Sequence, residues 1–180
     1  MKHAILLAAL ITFGGLQSSL EARGAKRFLK KESAADLVPM TKVFIGWVDL
    51  EPEDWALHGY GDKKEWSELI VTLNRALLRL CQTKYLRGRT VVAAQDASDT
   101  NAAAHDLYIK FSDVRIDYNR YYLYLSIQFI DPKTKAVLGT IPMRPYYGND
   151  WGFFKYLRAA MEEVAVKLQV EITGGRMKVN

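Results

Sequence analysis

Residues 107–130 read LYIKFSDVRIDYNRYYLYLSIQFI. Two runs of alternating apolar and polar residues flank Asn119-Arg120, the pattern of two strands joined by a two-residue turn. With that turn, Tyr118 faces Tyr121, Ile116 faces Leu123 and Val114 faces Leu125. All six then share one face, which the alternation marks as the core side. Arg115, Asp117, Tyr122 and Tyr124 fall on the opposite face. Upstream, Leu107, Ile109 and Phe111 are apolar at odd positions, whereas Val114 and Ile116 are apolar at even ones. A strand changes parity only by absorbing a residue, so a β-bulge or break is expected near Ser112-Asp113.

Working downstream, Asp131-Pro132-Lys133-Thr134-Lys135 is a turn sequence leading to a third strand, Ala136 to Met143. The stretch RPYYGNDWG then forms a loop in which Asn149 or Asp150 can cap a helix. Phe154, Leu157, Met161, Val164 and Leu168 recur at spacings of 3, 4, 3 and 4, one apolar helical stripe. Upstream of the hairpin, residues 96–106 are a polar loop and Thr90 to Ala94 a short apolar strand. Trp66, Leu69, Ile70, Leu73, Leu77 and Leu80 mark a long helix that Asp62 can cap and that ends near Arg87-Gly88. Lys42 to Leu50 (KVFIGWVDL) is β-branched and aromatic, a strand. Strand, helix, strand at this spacing predicts a right-handed parallel crossover. Two apolar stripes and one sheet predict an α/β (α+β) fold. It is a single two-layer sandwich, a mixed sheet of about five strands with two long helices on one face.

The amino terminus has a different character. Lys2, the 13-residue apolar run Ala4 to Leu16 and the small, polar stretch to Ala22 have the layout of a cleaved signal peptide. The run is shorter than the ~20 apolar residues a bilayer span needs. The expected organisation is residues 1–22 signal, 23–41 basic linker, 42–173 a single domain and 174–180 a tail. Periplasmic or secreted localisation follows from the signal.

Hydrophobic residues make up 49% of the 180 and charged residues 25%, proportions that exclude a disordered or collagen-like chain. The formal charge of +5 is local: six of the 25 basic residues and one of the 20 acidic ones precede residue 32, leaving 19 against 19 beyond it. Five of them, Arg23, Lys26, Arg27, Lys30 and Lys31, sit on the leader, where they suit peripheral contact with anionic lipid headgroups or an acidic partner. A nucleic-acid partner is not expected, because such domains carry their basic charge on the folded surface. Cys81 is the only cysteine, so no intrachain disulfide forms. It lies four residues after Leu77 on the helix's apolar side and is expected to be a small buried hydrophobe.

Motifs for chemistry are sparse. His58 and His105 stand in different loops without HxxxH, HxH or CxxC spacing, so no metal site is expected. No GxSxG, GxGxxG or P-loop occurs, and no cofactor is expected. Carboxylates are plentiful enough that His105 with Asp106 or Asp49 can be paired on paper, and Asp49, Glu51, Glu53 and Asp54 with His58 supply the acid–base grouping of an exported hydrolase. Aromatic residues are denser: Tyr118, Tyr121, Tyr122, Tyr124, Tyr146, Tyr147 and Trp151 fall within 34 residues. Tyrosine and tryptophan join apolar area to a polar tip and favour interfaces and sugar faces. Arg115, Asp117, Tyr122 and Tyr124 are therefore the first candidate contact surface, with Tyr146, Tyr147 and Trp151 the second.

Asp106-Leu107-Tyr108-Ile109-Lys110, Tyr122-Leu123-Tyr124-Leu125 and Asp131-Pro132-Lys133-Thr134, in this element order, carry a resemblance over roughly Lys42 to Glu171. The chain resembles small bacterial envelope domains: the amino-terminal domain of the periplasmic Tol-Pal propeller protein and related domains of curli pores and penicillin-binding-protein activators. The resemblance implies a non-catalytic binding or assembly module with a protein or glycan partner in the envelope, and transfers no catalytic residue. The hydrolase is the alternative, and an assembly subunit pairing through an open sheet edge is a third reading.

Overall fold

A computed structural model describes residues 37–50, 63–94, 102–117, 122–144 and 153–174. Within them the elements follow in the order β1 (Lys42–Gly46), α1 (Lys63–Leu80), β2 (Thr90–Ala94), β3 (Leu107–Asp117), β4 (Tyr122–Ile130), β5 (Val137–Met143) and α2 (Phe153–Thr173). One π-helical turn, Cys81–Tyr85, continues α1 and closes with the Leu86 N–H on the Cys81 carbonyl at 2.8 Å. The strands form one mixed sheet in the order β2-β1-β3-β4-β5. β1 runs parallel to both β2 and β3, and β3, β4 and β5 are antiparallel neighbours. The expected five-stranded α+β sandwich and the parallel pairing of the strands flanking α1 are both found.

Both apolar stripes are buried in one cluster. Trp66, Leu69, Leu73 and Leu77 of α1 and Leu157, Met161, Val164 and Leu168 of α2 pack there with the inward residues of the sheet, including Val43, Ile45, Ile109, Leu123, Ile127, Phe129 and Ile141. Cys81 belongs to the same cluster, and burial pushes its thiol pKa up to about 12, the state of an inert hydrophobe. Glu162 of α2 joins the π turn. Its Oε1 accepts from Lys84 Nζ at 2.8 Å and from the Tyr85 hydroxyl at 2.6 Å, and these bonds hold its carboxyl below the usual range.

The parity change in β3 is a bulge. Ser112 pairs with Ser126 and Arg115 with Tyr124, so Asp113 and Val114 together oppose Leu125. The pairing of Val114 with Leu125 expected from the sequence thus falls inside the bulge. Ile116↔Leu123 and Asp117↔Tyr122 stand as expected, and the Tyr118–Tyr121 turn lies outside the described residues. Asp113 takes φ 54°, a left-handed conformation that aspartate tolerates better than most side chains. The extra residue returns Ile116 to the core side and sends Arg115 to the other.

β1 is shorter than the sequence suggests. A strand through Leu50 is expected, yet it ends at Gly46. β1 pairs with β3 only over Val43–Ile45, although β3 runs on to Asp117, so among the described residues the chain leaves the sheet after Gly46. A Cβ at Gly46 would sit 3.1 Å from the Ile109 carbonyl oxygen, a close approach that glycine permits. Residues 47–50 are held by α1 side chains instead: Asn74 bonds the Val48 backbone, and Trp66 Nε1–H donates to the Leu50 carbonyl.

Arg89, after the turn containing Gly88 (φ 85°), closes the opposite side. Its guanidinium donates to the carbonyls of Met40 (3.0 Å), Val38 (3.0 Å) and Ile172 (3.2 Å), binding the lead-in to the last turn of α2. That last turn leaves carbonyls without intrahelical partners, and Gly174 at φ 72° supplies the left-handed residue that ends it. Arg89→Met preserves the stem and removes all three bonds. It is expected to cost about 2 kcal/mol, read as a Tm lower by roughly 6 °C. A Tm within one degree of wild type would show that water replaces the clamp at no cost.

Candidate functional site

The outward residues of β3, β4 and β5 build a face that carries neither helix. At one end Phe44, Tyr108 and Ile130 pack with Ala102 in a small second cluster, and the His105 ring lies 5.2 Å from that of Phe44. Asp106 pins the start of β1 beside it, accepting the backbone N–H groups of Thr41 (3.0 Å) and Lys42 (2.9 Å). These bonds hold its carboxyl below the usual carboxylate range. This end is closed by the segment preceding β3.

The other end carries Tyr122 and Tyr124, half-buried and two residues apart on β4, hence on one face. Their ring centroids are 6.1 Å apart with planes inclined at 60°. Arg115, across the ladder on β3, lies over the Tyr124 ring with Cζ 4.3 Å from its centroid. Arg144, just past β5, approaches the Tyr122 ring from the other flank at 5.8 Å. Asp117 is the register partner of Tyr122. An exposed cation–π contact contributes about 0.5–1 kcal/mol, enough to orient a guanidinium while leaving its in-plane N–H groups to donate elsewhere. Among the described residues neither Arg115 nor Arg144 makes an ion pair.

The four first-choice residues, Arg115, Asp117, Tyr122 and Tyr124, thus form one contiguous patch. Tyr146, Tyr147 and Trp151 lie outside the described residues, as do Glu51, Glu53, Asp54 and His58 of the acidic loop; Asp49 is described and exposed. The sequence reading passes over Arg144. Its signal is available once β5 is registered on β4: Met143 pairs with Leu125, which carries residue 144 to the row of Tyr124. Ser112, Ser126, Gln128 and Thr140 extend the face with neutral polar groups. Among the described residues no three His, Cys, Asp or Glu side chains converge to hold a metal.

No family model matches the chain, and no curated protein does. Solved structures similar to it include a Helicobacter pylori protein described as a homolog of neuraminyllactose-binding hemagglutinin. That structure is 14% identical with a TM-score of 0.42, over 77% of this chain and 87% of that one. They also include the PelC dodecamer from Paraburkholderia phytofirmans, 14% identical with a TM-score of 0.44, over 76% and 92%. The likeness is one of remote fold, and no residue of either protein is carried over to this chain.

Proposed function

We propose that the chain is an exported, non-catalytic binding module of the cell envelope that contacts a protein or glycan partner through the tyrosine-bearing face of its sheet. The observation that carries this reading is the asymmetry of the sheet. Both helices cover one side, while two tyrosines and two guanidiniums that make no ion pair among the described residues occupy the other. Export rests on the layout of residues 1–22. No described helix is long and apolar enough to cross a membrane.

Edge-to-edge assembly is less well supported. Gln82 Nε2 caps the Val91 carbonyl on edge strand β2 at 2.8 Å, and edge strand β5 carries Pro142 and a register shift near Gly139. Capped carbonyls, prolines and bulges blunt an edge against pairing.

The test replaces Tyr122 and Tyr124 with Ser together. Both side chains are only half-buried on an outer face, so the Tm should move by a few degrees at most. Retention of envelope components on the immobilised chain should fall about tenfold, the scale on which paired interface tyrosines act. An unchanged set of retained components would remove this face as the contact surface.

A further inference from the structure

Resting on the face reading above, we infer that its partner is an acidic carbohydrate polymer, recognised through carboxylate groups along its chain. The charge of the described face points to an anion. Arg115, Arg144 and Lys110 stand on it against Asp117 and against Asp113, whose Oδ2 accepts from the Ser112 hydroxyl at 3.1 Å, so cations still outnumber carboxylates. A guanidinium stacked on a ring keeps the planar fork that binds a carboxylate with two N–H donors. Arg115 sits on β3 and Arg144 beyond β5, so their backbones flank β4 from both sides, two strand spacings or ~10 Å apart. Two guanidiniums borne on either side of β4 on a broad sheet suit a polymer with repeating charge better than a single small acid.

The groups between the arginines select the kind of polymer. Tyr122 and Tyr124 offer ring area and hydroxyls, and Ser126, Gln128 and Thr140 offer neutral hydrogen-bonding groups on the same face. A sugar acid has a C–H face for the rings, hydroxyls for the polar groups and a carboxylate for the guanidiniums. A polyglutamate segment has carboxylates and backbone amides for the polar groups but no ring C–H face for the tyrosines. Of the two, the acidic glycan uses all three features of the face.

Binding of the full chain to three probes tests this: polygalacturonate as a carboxylate-bearing glycan, dextran as an uncharged one and poly-L-glutamate as an acidic peptide. Wild type is expected to bind polygalacturonate, to ignore dextran and to bind poly-L-glutamate at least tenfold more weakly. Arg115→Gln with Arg144→Gln should weaken polygalacturonate binding about tenfold and flatten its salt dependence, with the Tm lowered by only a few degrees as the two cation–π contacts go. Arg115→Lys with Arg144→Lys should fall between, because charge is kept and the fork is lost. Equal affinity for poly-L-glutamate would overturn the glycan assignment. An Arg-to-Gln loss of under twofold would place the attraction on the basic leader and overturn it too, as would absence of any polygalacturonate binding by wild type. In each of those cases, envelope retention that Tyr122→Ser with Tyr124→Ser abolishes would leave the face itself standing, with a different partner.

Discussion

Trp66→Ala is expected to destabilise the fold by about 4 kcal/mol, more than any other single change considered for this chain. Two losses combine. Trp66 is only 2% exposed and ranks among the largest fully packed side chains, so truncation leaves a cavity between α1 and the sheet. Its indole N–H also serves the carbonyl of buried Leu50, which pairs with no strand among the described residues. Trp66→Phe separates the terms: most of the bulk stays, the donor goes, and the expected loss is about 1–2 kcal/mol. Urea unfolding measures both, since the midpoint should fall with the slope unchanged if only stability is altered. Equal losses for Phe and Ala would assign the whole effect to the hydrogen bond, and a loss under 1 kcal/mol for Ala would mean that the site collapses around the gap.

Trp66 is legible from the sequence as the first residue of the α1 stripe, because burial follows from period alone. The same holds for the irregularity in β3: two parities in one stretch demand a bulge or a break, and the register shift sits where they collide. The outward placement of Arg115, Tyr122 and Tyr124 follows from that bookkeeping, since side chains alternate along a strand on either side of a bulge. What escapes the pattern is whatever one element does for another element's backbone. KVFIGWVDL has the composition of one strand, but composition does not say where a strand leaves its neighbour, and β1 departs from β3 after Ile45 while β3 continues to Asp117. Arg89, a single basic residue after a turn, carries no mark of the three carbonyls it gathers from both ends of the domain. Arg144 becomes readable only after the β4–β5 register is known. Asn74 lies four residues after Ile70 and three before Leu77, squarely on the buried side of α1, yet a count of apolar residues steps over it.

That residue supports the second large effect. Asn74 is 4% exposed, and its side chain bonds both backbone groups of Val48. Oδ1 accepts the Val48 N–H at 2.7 Å, and Nδ2 donates to the Val48 carbonyl at 2.9 Å and to Ile70 at 2.9 Å. A backbone residue has one donor and one acceptor, and a primary amide is the side chain that answers both. Asn74→Ala leaves the N–H and C=O of Val48, itself 1% exposed, without partners. The expected loss is about 3 kcal/mol, from two orphaned groups at roughly 1–3 kcal/mol each with partial relaxation. Asn74→Asp tests the donor specifically. At neutral pH its carboxylate can still accept from Val48 N–H but faces the Val48 carbonyl oxygen with a second acceptor, and it carries a charge into the core, so it should be no more stable than Asn74→Ala. Burial and the facing carbonyl raise the folded-state pKa of that carboxyl above its unfolded value. Relative to wild type, N74D should therefore regain stability as pH falls through the raised folded value, when the acid becomes neutral and gains an O–H to donate. The acid response of Asp106 and Glu162, whose carboxyls are held low, is common to both proteins and cancels in that difference. A wild-type–minus–N74D gap that stays constant from pH 8 to pH 4 would mean that the amide donor is not what holds residues 47–50 to the helix.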